Sequence, residues 1–289
     1  MRKGILLVGV FWAFLAQADQ ACDNQDVCVF NCAKTANDDC TATFDKDTGT
    51  LTISGKGEMA DYSYVWENGN MVAISMPWYD YRNEISALKV EEGITGVGDF
   101  AFNGYTILTN VELPNGLARI GRETFSSNPS LQTIDIPDSV TEIASRAFAD
   151  CSQIHELTLP QSLTTVGDGA FMNTGIVNLV FPESVVSISP EAFYADYDYW
   201  KTSQILNLYC NKVVEEQCET ALQWKKDLGE NVNVISYQRT PDGQVFYDNK
   251  WYNNANDILS GNYIKKRIYT IDEANRVTGD KNRVSIKYR

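Results

Sequence analysis

The sequence predicts a β-rich solenoid of short parallel strands, with a β-rich N-terminal cap, a helical C-terminal cap and a small α+β tail. Three observations predict it. Phe102, Phe125, Phe148, Phe171 and Phe193 recur at steps of 23, 23, 23 and 22 residues. In the register they define, other positions stay apolar in every unit, as in Leu88, Val111, Ile134, Leu157 and Leu179. Prolines 114, 137, 160 and 182 follow at one fixed place in four of the units. A fixed period of this length marks stacked units, none of which buries its apolar face alone.

The first element is a leader. Arg2 and Lys3 precede an apolar run over residues 4–16, and Ala16-Gln17-Ala18 offers a small-x-small cleavage site. Residues 1–18 therefore read as a secretory signal peptide, because a membrane anchor needs about 20 apolar residues. No later apolar run is long enough to span a bilayer. Of the net charge of −14, residues 19–240 carry −19 and residues 241–289 carry +3. So acidic a body repels phosphate backbones and argues against a nucleic-acid partner.

Export implies an oxidising compartment for the seven cysteines. Cys22, Cys28, Cys32 and Cys40 cluster and should form two disulfides, with three pairings open. Cys210 and Cys218 form a second close group and should pair with each other. Spacings of six, four and eight residues disfavour a metal site in the N-terminal group.

Residues 19–84 form the Cys-rich segment and the N-terminal cap. TATFD and TLTISG flank Lys46-Asp47-Thr48-Gly49, a hairpin signal. Trp66, Trp78, Tyr79 and Tyr81 follow. Packing against the first repeat is the favoured role for these aromatics, and a glycan-binding face is the competing one.

Residues 85–211 hold the repeats: five coils over 85–102, 108–125, 131–148, 154–171 and 176–193. Each opens with a short strand of period-2 alternation, as in Val111-Glu112-Leu113, which in all but the first coil, where Glu91 stands instead, proline then ends because it has no N–H to give a ladder. Val97, Ile120, Ile143, Val166 and Ile188 make another apolar ladder. A degenerate sixth strand, ILNLYC over 205–210, puts Tyr209 at the proline position. Residues 212–238 then supply a capping helix, with Val214, Cys218, Ala221 and Leu222 at helical spacing, and a strand. In residues 239–289, GQVFYDNKWY reads as a hairpin, Thr270-Ile271-Asp272-Glu273 as a capping box opening a short helix, and NRVSIKYR as a terminal strand. Capping is the favoured role of this module; a tag for secretion or surface attachment is the alternative.

The consensus LxxLxLPxxVTxIGxxAFxxC resembles the BspA-like leucine-rich repeats, so the expected fold is a leucine-rich-repeat solenoid. The resemblance implies a secreted or surface protein of a bacterium or protist that binds partners on its strand face. The family's cysteine after the Phe occurs only as Cys151, which is expected to be a buried free thiol.

No sequence pattern points to catalysis. His155 is the only histidine and lacks the partners of a triad or a metal site. No phosphate loop, HExxH or GxSxG is present. The expectation is a non-catalytic protein without cofactor or bound metal. Outward columns remain: Lys89, Glu112, Asp135, Thr158, Val180 and Asn207, beside Ala87, Asn110, Thr133, Glu156 and Asn178. These form the candidate face for a protein ligand. Tyr194, Tyr197, Tyr199 and Trp200 are candidate aromatic anchors. Two other functions compete: a coat component retained through residues 239–289, and a carbohydrate binder using the aromatic cap. The ligand and the oligomeric state are not written in the sequence.

Overall fold

The computed structural model describes residues 22, 25–68, 70–194, 205, 207–227, 229–239, 244–247 and 250–261. The expected leader, Tyr197, Tyr199, Trp200 and the expected helix and strand after residue 270 lie outside these residues. What is described is a β-solenoid of about five turns preceded by an antiparallel meander.

The meander comprises β1 (Val27–Asn31), β2 (Asp39–Asp45) and β3 (Thr50–Glu58). Cys32 bonds Cys40 and Cys22 bonds Cys28, which resolves the pairing among the first four cysteines. β3 is long because it does two jobs. Its first half pairs in parallel with β6 (Ala87–Val90) and its last residues pair in parallel with β7 (Ile94–Val97). The bend between the halves is at Gly55, with φ +119°, where a Cβ would stand 1.6 Å from the Asp39 carbonyl oxygen. Only glycine fits there. Between β3 and β6 lie the hairpin β4 (Tyr64–Glu67) and β5 (Asn70–Ile74) and a 3₁₀ turn over Tyr79–Tyr81. Trp78 in this stretch is fully buried, edge-on to Tyr62 at 5.5 Å. Trp66, in contrast, is 62% exposed.

The coils stack as the period requires. Successive phenylalanine rings from Phe102 to Phe193 lie 5.6, 5.7, 6.2 and 5.7 Å apart, and all five are buried. Each Phe amide donates to the next coil: Phe102 to Thr124, Phe125 to Ala147, Phe148 to Ala170 and Phe171 to Ala192. A second parallel ladder runs β7, β9 (Arg119–Ile120), β10 (Glu142–Ile143), β11 (Thr165–Val166) and β13 (Ser187–Ile188). Its buried members are the column Val97 to Ile188.

The opening strand of each coil is less regular than its alternation suggests. β8 (Asn110–Glu112) pairs with β6, and β12 (Asn178–Val180) pairs with β14 (Asn207–Asn211). The third and fourth coils have buried Ile134, Ile136, Leu157 and Leu159 but join no ladder there. The side chains keep the alternating burial of a strand, while adhesion between these coils is carried by the Phe turn and the second ladder.

After β14 come α1 (Glu215–Ala221), α2 (Gln223–Asp227), β15 (Asn233–Arg239), β16 (Val245–Tyr247), β17 (Lys250–Tyr252) and α3 (Asp257–Ser260). Cys210 bonds Cys218, tying β14 to α1. Gln217 of α1 ends the second ladder: its Oε1 accepts the Ile188 N–H at 2.6 Å and its Nε2 donates to the Val186 carbonyl at 3.3 Å. β15 adds to β14 in parallel, then β15, β16 and β17 form an antiparallel meander. The register corrects the sequence alignment by two residues. Asn207 pairs with Asn178, so Tyr209 follows Val180 in the outward column and Asn211, not Tyr209, stands at the proline position. The 29-residue step between these strands, against 22 or 23 elsewhere, hid that shift from periodicity.

Candidate functional site

The last meander folds over one end of the strand face. Val180, Tyr237, Val245, Tyr252, Ala255 and Ile258 form a core of their own, with Tyr209 edge-on to Tyr247 at 5.6 Å. Tyr237 donates its hydroxyl proton to the Phe181 carbonyl. Val180 is 2% exposed and therefore is not part of an open binding face. An apolar residue in an otherwise polar outward column marks where another part of the chain lands.

Beside this contact α3 and the fourth and fifth coils enclose a groove of about 700 Å³. His155, Glu156, Leu157 and Thr158 line it from one coil, Val177 and Asn178 from the next, and Asn256, Leu259 and Ser260 from α3. Glu156 and Thr158 are exposed, and Asn178 is half-buried. The Asn178 Oδ1 accepts from Asn207 Nδ2 at 2.6 Å, and Asn207 Oδ1 accepts from Asn233 Nδ2 at 2.8 Å. This amide ladder crosses three strands and fixes one wall. The exposed His155 has Nδ1 3.2 Å from the Gly175 carbonyl. Leu259 is 46% exposed, the apolar feature of the rim.

Beyond the groove the face continues outward through Thr133 and Asp135, then Asn110 and Glu112, all exposed. Glu112, Asp135 and Glu156 make no salt bridge among the described residues, whereas Lys89 is 3.2 Å from Glu91. The face thus presents three carboxylates that form no salt bridge among the described residues, with Lys89 as the cross-strand neighbour of Glu112 at one end. The sequence reading grouped the residues from the coils but missed Asn256, Leu259 and Ser260. These follow no repeat, and the one signal was the apolar spacing of Ala255 and Ile258.

The other candidates are placed differently. Tyr194 is half-buried, edge-on to Trp224 at 5.9 Å, and so is engaged in packing. Cys151 is buried without a disulfide, and burial pushes its thiol up to about 12. Its Sγ donates to the Phe125 carbonyl of the preceding coil at 3.0 Å. Among the described residues no group of three His, Cys, Asp or Glu side chains converges as metal ligands. No described helix is long and apolar enough to cross a membrane.

Coils stacked at a fixed step, with Leu and Phe columns inside, define a leucine-rich-repeat protein. More particularly, residues 73–198 match the model of the BspA type leucine rich repeat region in six copies. Solved structures resemble the chain at low identity. A leucine-rich repeat protein from Eubacterium ventriosum is 22% identical with a TM-score of 0.49, over 80% of this chain and 49% of its own. A leucine rich cell surface protein from Faecalibacterium prausnitzii is 20% identical with a TM-score of 0.36, over 62% and 54% respectively. The leucine-rich repeat protein of T. pallidum is 16% identical with a TM-score of 0.30, over 70% and 84%. The chain spans about half the length of the first two. No curated protein matches it.

Proposed function

We propose that this chain is an exported, non-catalytic binding protein whose strand face takes a positively charged segment of a protein ligand. The observation that carries the reading is the run of exposed carboxylates Glu112, Asp135 and Glu156, none in a salt bridge among the described residues, leading into the groove under α3. Complementary charge of this kind accelerates encounter and selects the partner, while a partly enclosed pocket supplies the anchor. Export is supported by the apolar leader with its cleavage site and by three disulfides. The carbohydrate alternative is weakened by the burial of Trp78, since Trp66 alone of the two tryptophans is then accessible.

A fluorescent lysine-rich peptide is a suitable probe. The triple variant E112K/D135K/E156K should bind it at least tenfold more weakly than the native chain, and native binding should fall as salt rises. Reversal of three exposed acids elsewhere, D39K/D47K/E191K, serves as the charge-matched control. Equal losses in the two variants, or none in the first, would move the ligand off the strand face.

A further inference from the structure

We infer that β1 is the docking edge for a second copy of this chain: two β1 strands pair antiparallel about Val29 and join two solenoids into one sheet across a two-fold axis. The pairing does not rest on the proposed ligand; only its consequence for the acidic face does.

The two ends of the long sheet are finished differently. At one end Gln217 accepts the Ile188 N–H and donates to the Val186 carbonyl, so the sheet stops on a side chain. At the other end β1 pairs with β2 alone. The Lys46 amide donates to the Asp26 carbonyl and the Cys32 amide to the Cys40 carbonyl, and between them Cys28 stands against Phe44 and Phe30 against Ala42. Alternate residues of an antiparallel strand bond to opposite sides. The backbone groups of Val27, Val29 and Asn31 therefore point away from β2, and no described residue pairs with them. Edge strands that stay free carry lysine, proline, a bulge or an inward charge that blocks pairing. VCVFN has none of these, and its register with β2 is unbroken. Its outward side chains include Val27 and Val29, 43% and 55% exposed.

The strand is held ready to pair. Cys28 bonds Cys22 and Cys32 bonds Cys40, while Phe30 is buried against Trp78 and Tyr81, each at 6.1 Å. The inward residues fix the strand in extended form, so pairing costs little further ordering. The edge also fits a copy of itself. A two-fold axis at Val29 sets Val27 opposite Asn31 and Val29 opposite its own copy, with about six inter-strand bonds. Asp26 falls opposite Cys32, so no like charges are directly opposed. The whole chain carries −14, however, and two such bodies repel at long range. Salt screens that repulsion without touching the backbone bonds. A five-residue strand pair is a small interface, so the association is weak, about micromolar or weaker.

The consequence is bivalency. Val29, Thr43, Thr52, Lys89 and Glu112 are successive register partners, so the strand face continues unbroken onto β1. Opposed side chains of an antiparallel pair share one face of the sheet. The two acidic faces of the dimer then look the same way, and a partner with two basic segments engages both with a gain in avidity.

The experiment uses the exported, oxidised chain. Sedimentation over a concentration series should show monomer and dimer, with more dimer at about 0.15 M than at about 0.01 M salt. V29P removes an outward N–H that β2 does not use, and should weaken the dimer at least tenfold. V29K, free of proline's backbone constraint, should do the same by setting like charges opposite each other. V213K, at a valine 72% exposed beside α1, is the control and should leave the dimer unchanged. In hydrogen exchange the Val29 amide should become protected as concentration rises, whereas the Cys28 and Phe30 amides are protected in the monomer as well. A chain that stays monomeric up to about millimolar concentration overturns the inference. So does a dimer that survives V29K, or one in which the Val29 amide still exchanges freely. A β1-dependent dimer that binds no lysine-rich peptide supports the pairing and rejects only the proposed ligand.

Discussion

Two corners of the same coil are held in different ways. At the Phe corner every step is bonded: the rings stack, and amides two residues apart, such as Phe100, Phe102 and Gly104, donate to Arg122, Thr124 and Ser126 of the next coil. At the strand corner the middle coils bury equivalent aliphatic residues yet form no ladder. The difference teaches where a short solenoid puts its adhesion. Buried apolar area is non-directional and tolerates either arrangement, but backbone groups turned into the stack must be paired. The corner with the bonds holds the coils in register, and the other is left to present side chains.

The sharpest way to break this comparison is to remove one ring from the column. Phe148 is fully buried between Phe125 and Phe171, at 5.7 and 6.2 Å. Phe148→Ala leaves a cavity that its rigid neighbours cannot fill and should cost about 3–5 kcal/mol, read from urea unfolding. Adding Phe125→Ala should cost less than the sum of the two single changes, because both variants spoil the same contact. A loss under about 1 kcal/mol for Phe148→Ala would show that the coils are held elsewhere.

A smaller effect sharpens the account of the turn after each Phe. Equivalent positions there are Tyr105, Asn128, Cys151 and Thr174, all buried. Asn128 Nδ2 donates to the Phe102 and Phe125 carbonyls at 3.0 and 2.8 Å, and its Oδ1 accepts the Tyr105 N–H at 2.7 Å. Cys151 Sγ reaches the Phe125 carbonyl, and Thr174 Oγ1 the Phe171 carbonyl at 3.0 Å. Different residues thus meet the carbonyls of one recurring turn. Asn128→Ala strands the Tyr105 N–H and the Phe102 carbonyl, leaves the Phe125 carbonyl only the weak Cys151 thiol donor, and should lower stability by about 2–3 kcal/mol. Asn128→Cys, which copies the neighbouring coil, should recover part of that loss. Equal losses for the two variants in thermal unfolding would mean that Asn128 acts by size alone.

These particulars show what was legible in the sequence. The apolar columns, the Phe period and the pairing of Cys210 with Cys218 follow from spacing, because each repeats or lies close in the chain. The role of Asn128 was hidden, since four chemically different residues share the position and no motif emerges. The continuous ladder through Arg119, Glu142 and Thr165 was also hidden: two-residue strands carry too little alternation to read. At the site, Glu112, Asp135 and Glu156 were legible as outward residues. The α3 wall was not, because it comes from a non-repeating segment whose landing place is fixed by tertiary packing against Val180 and Tyr209.

The smallest effect concerns the backbone at the Phe corner. Phe100, Glu123, Arg146 and Gly169 are equivalent, and all have left-handed φ, at 59°, 53°, 55° and 60°. A side chain there costs about 1–2 kcal/mol, which glycine avoids. Glycine in turn loses more freedom on folding, by about 0.5–1 kcal/mol. Arg146 is exposed, so Arg146→Gly should raise stability by a net of about 0.5–1 kcal/mol, seen as a small increase in the urea midpoint with an unchanged slope. Glu123→Gly relieves the same backbone but removes the carboxylate that accepts the Tyr64 hydroxyl at 2.5 Å, and should gain less or nothing. If Arg146→Gly destabilises instead, the arginine side chain contributes more to the corner than its backbone costs, and the turn is held by side chains as well as by its bonded carbonyls.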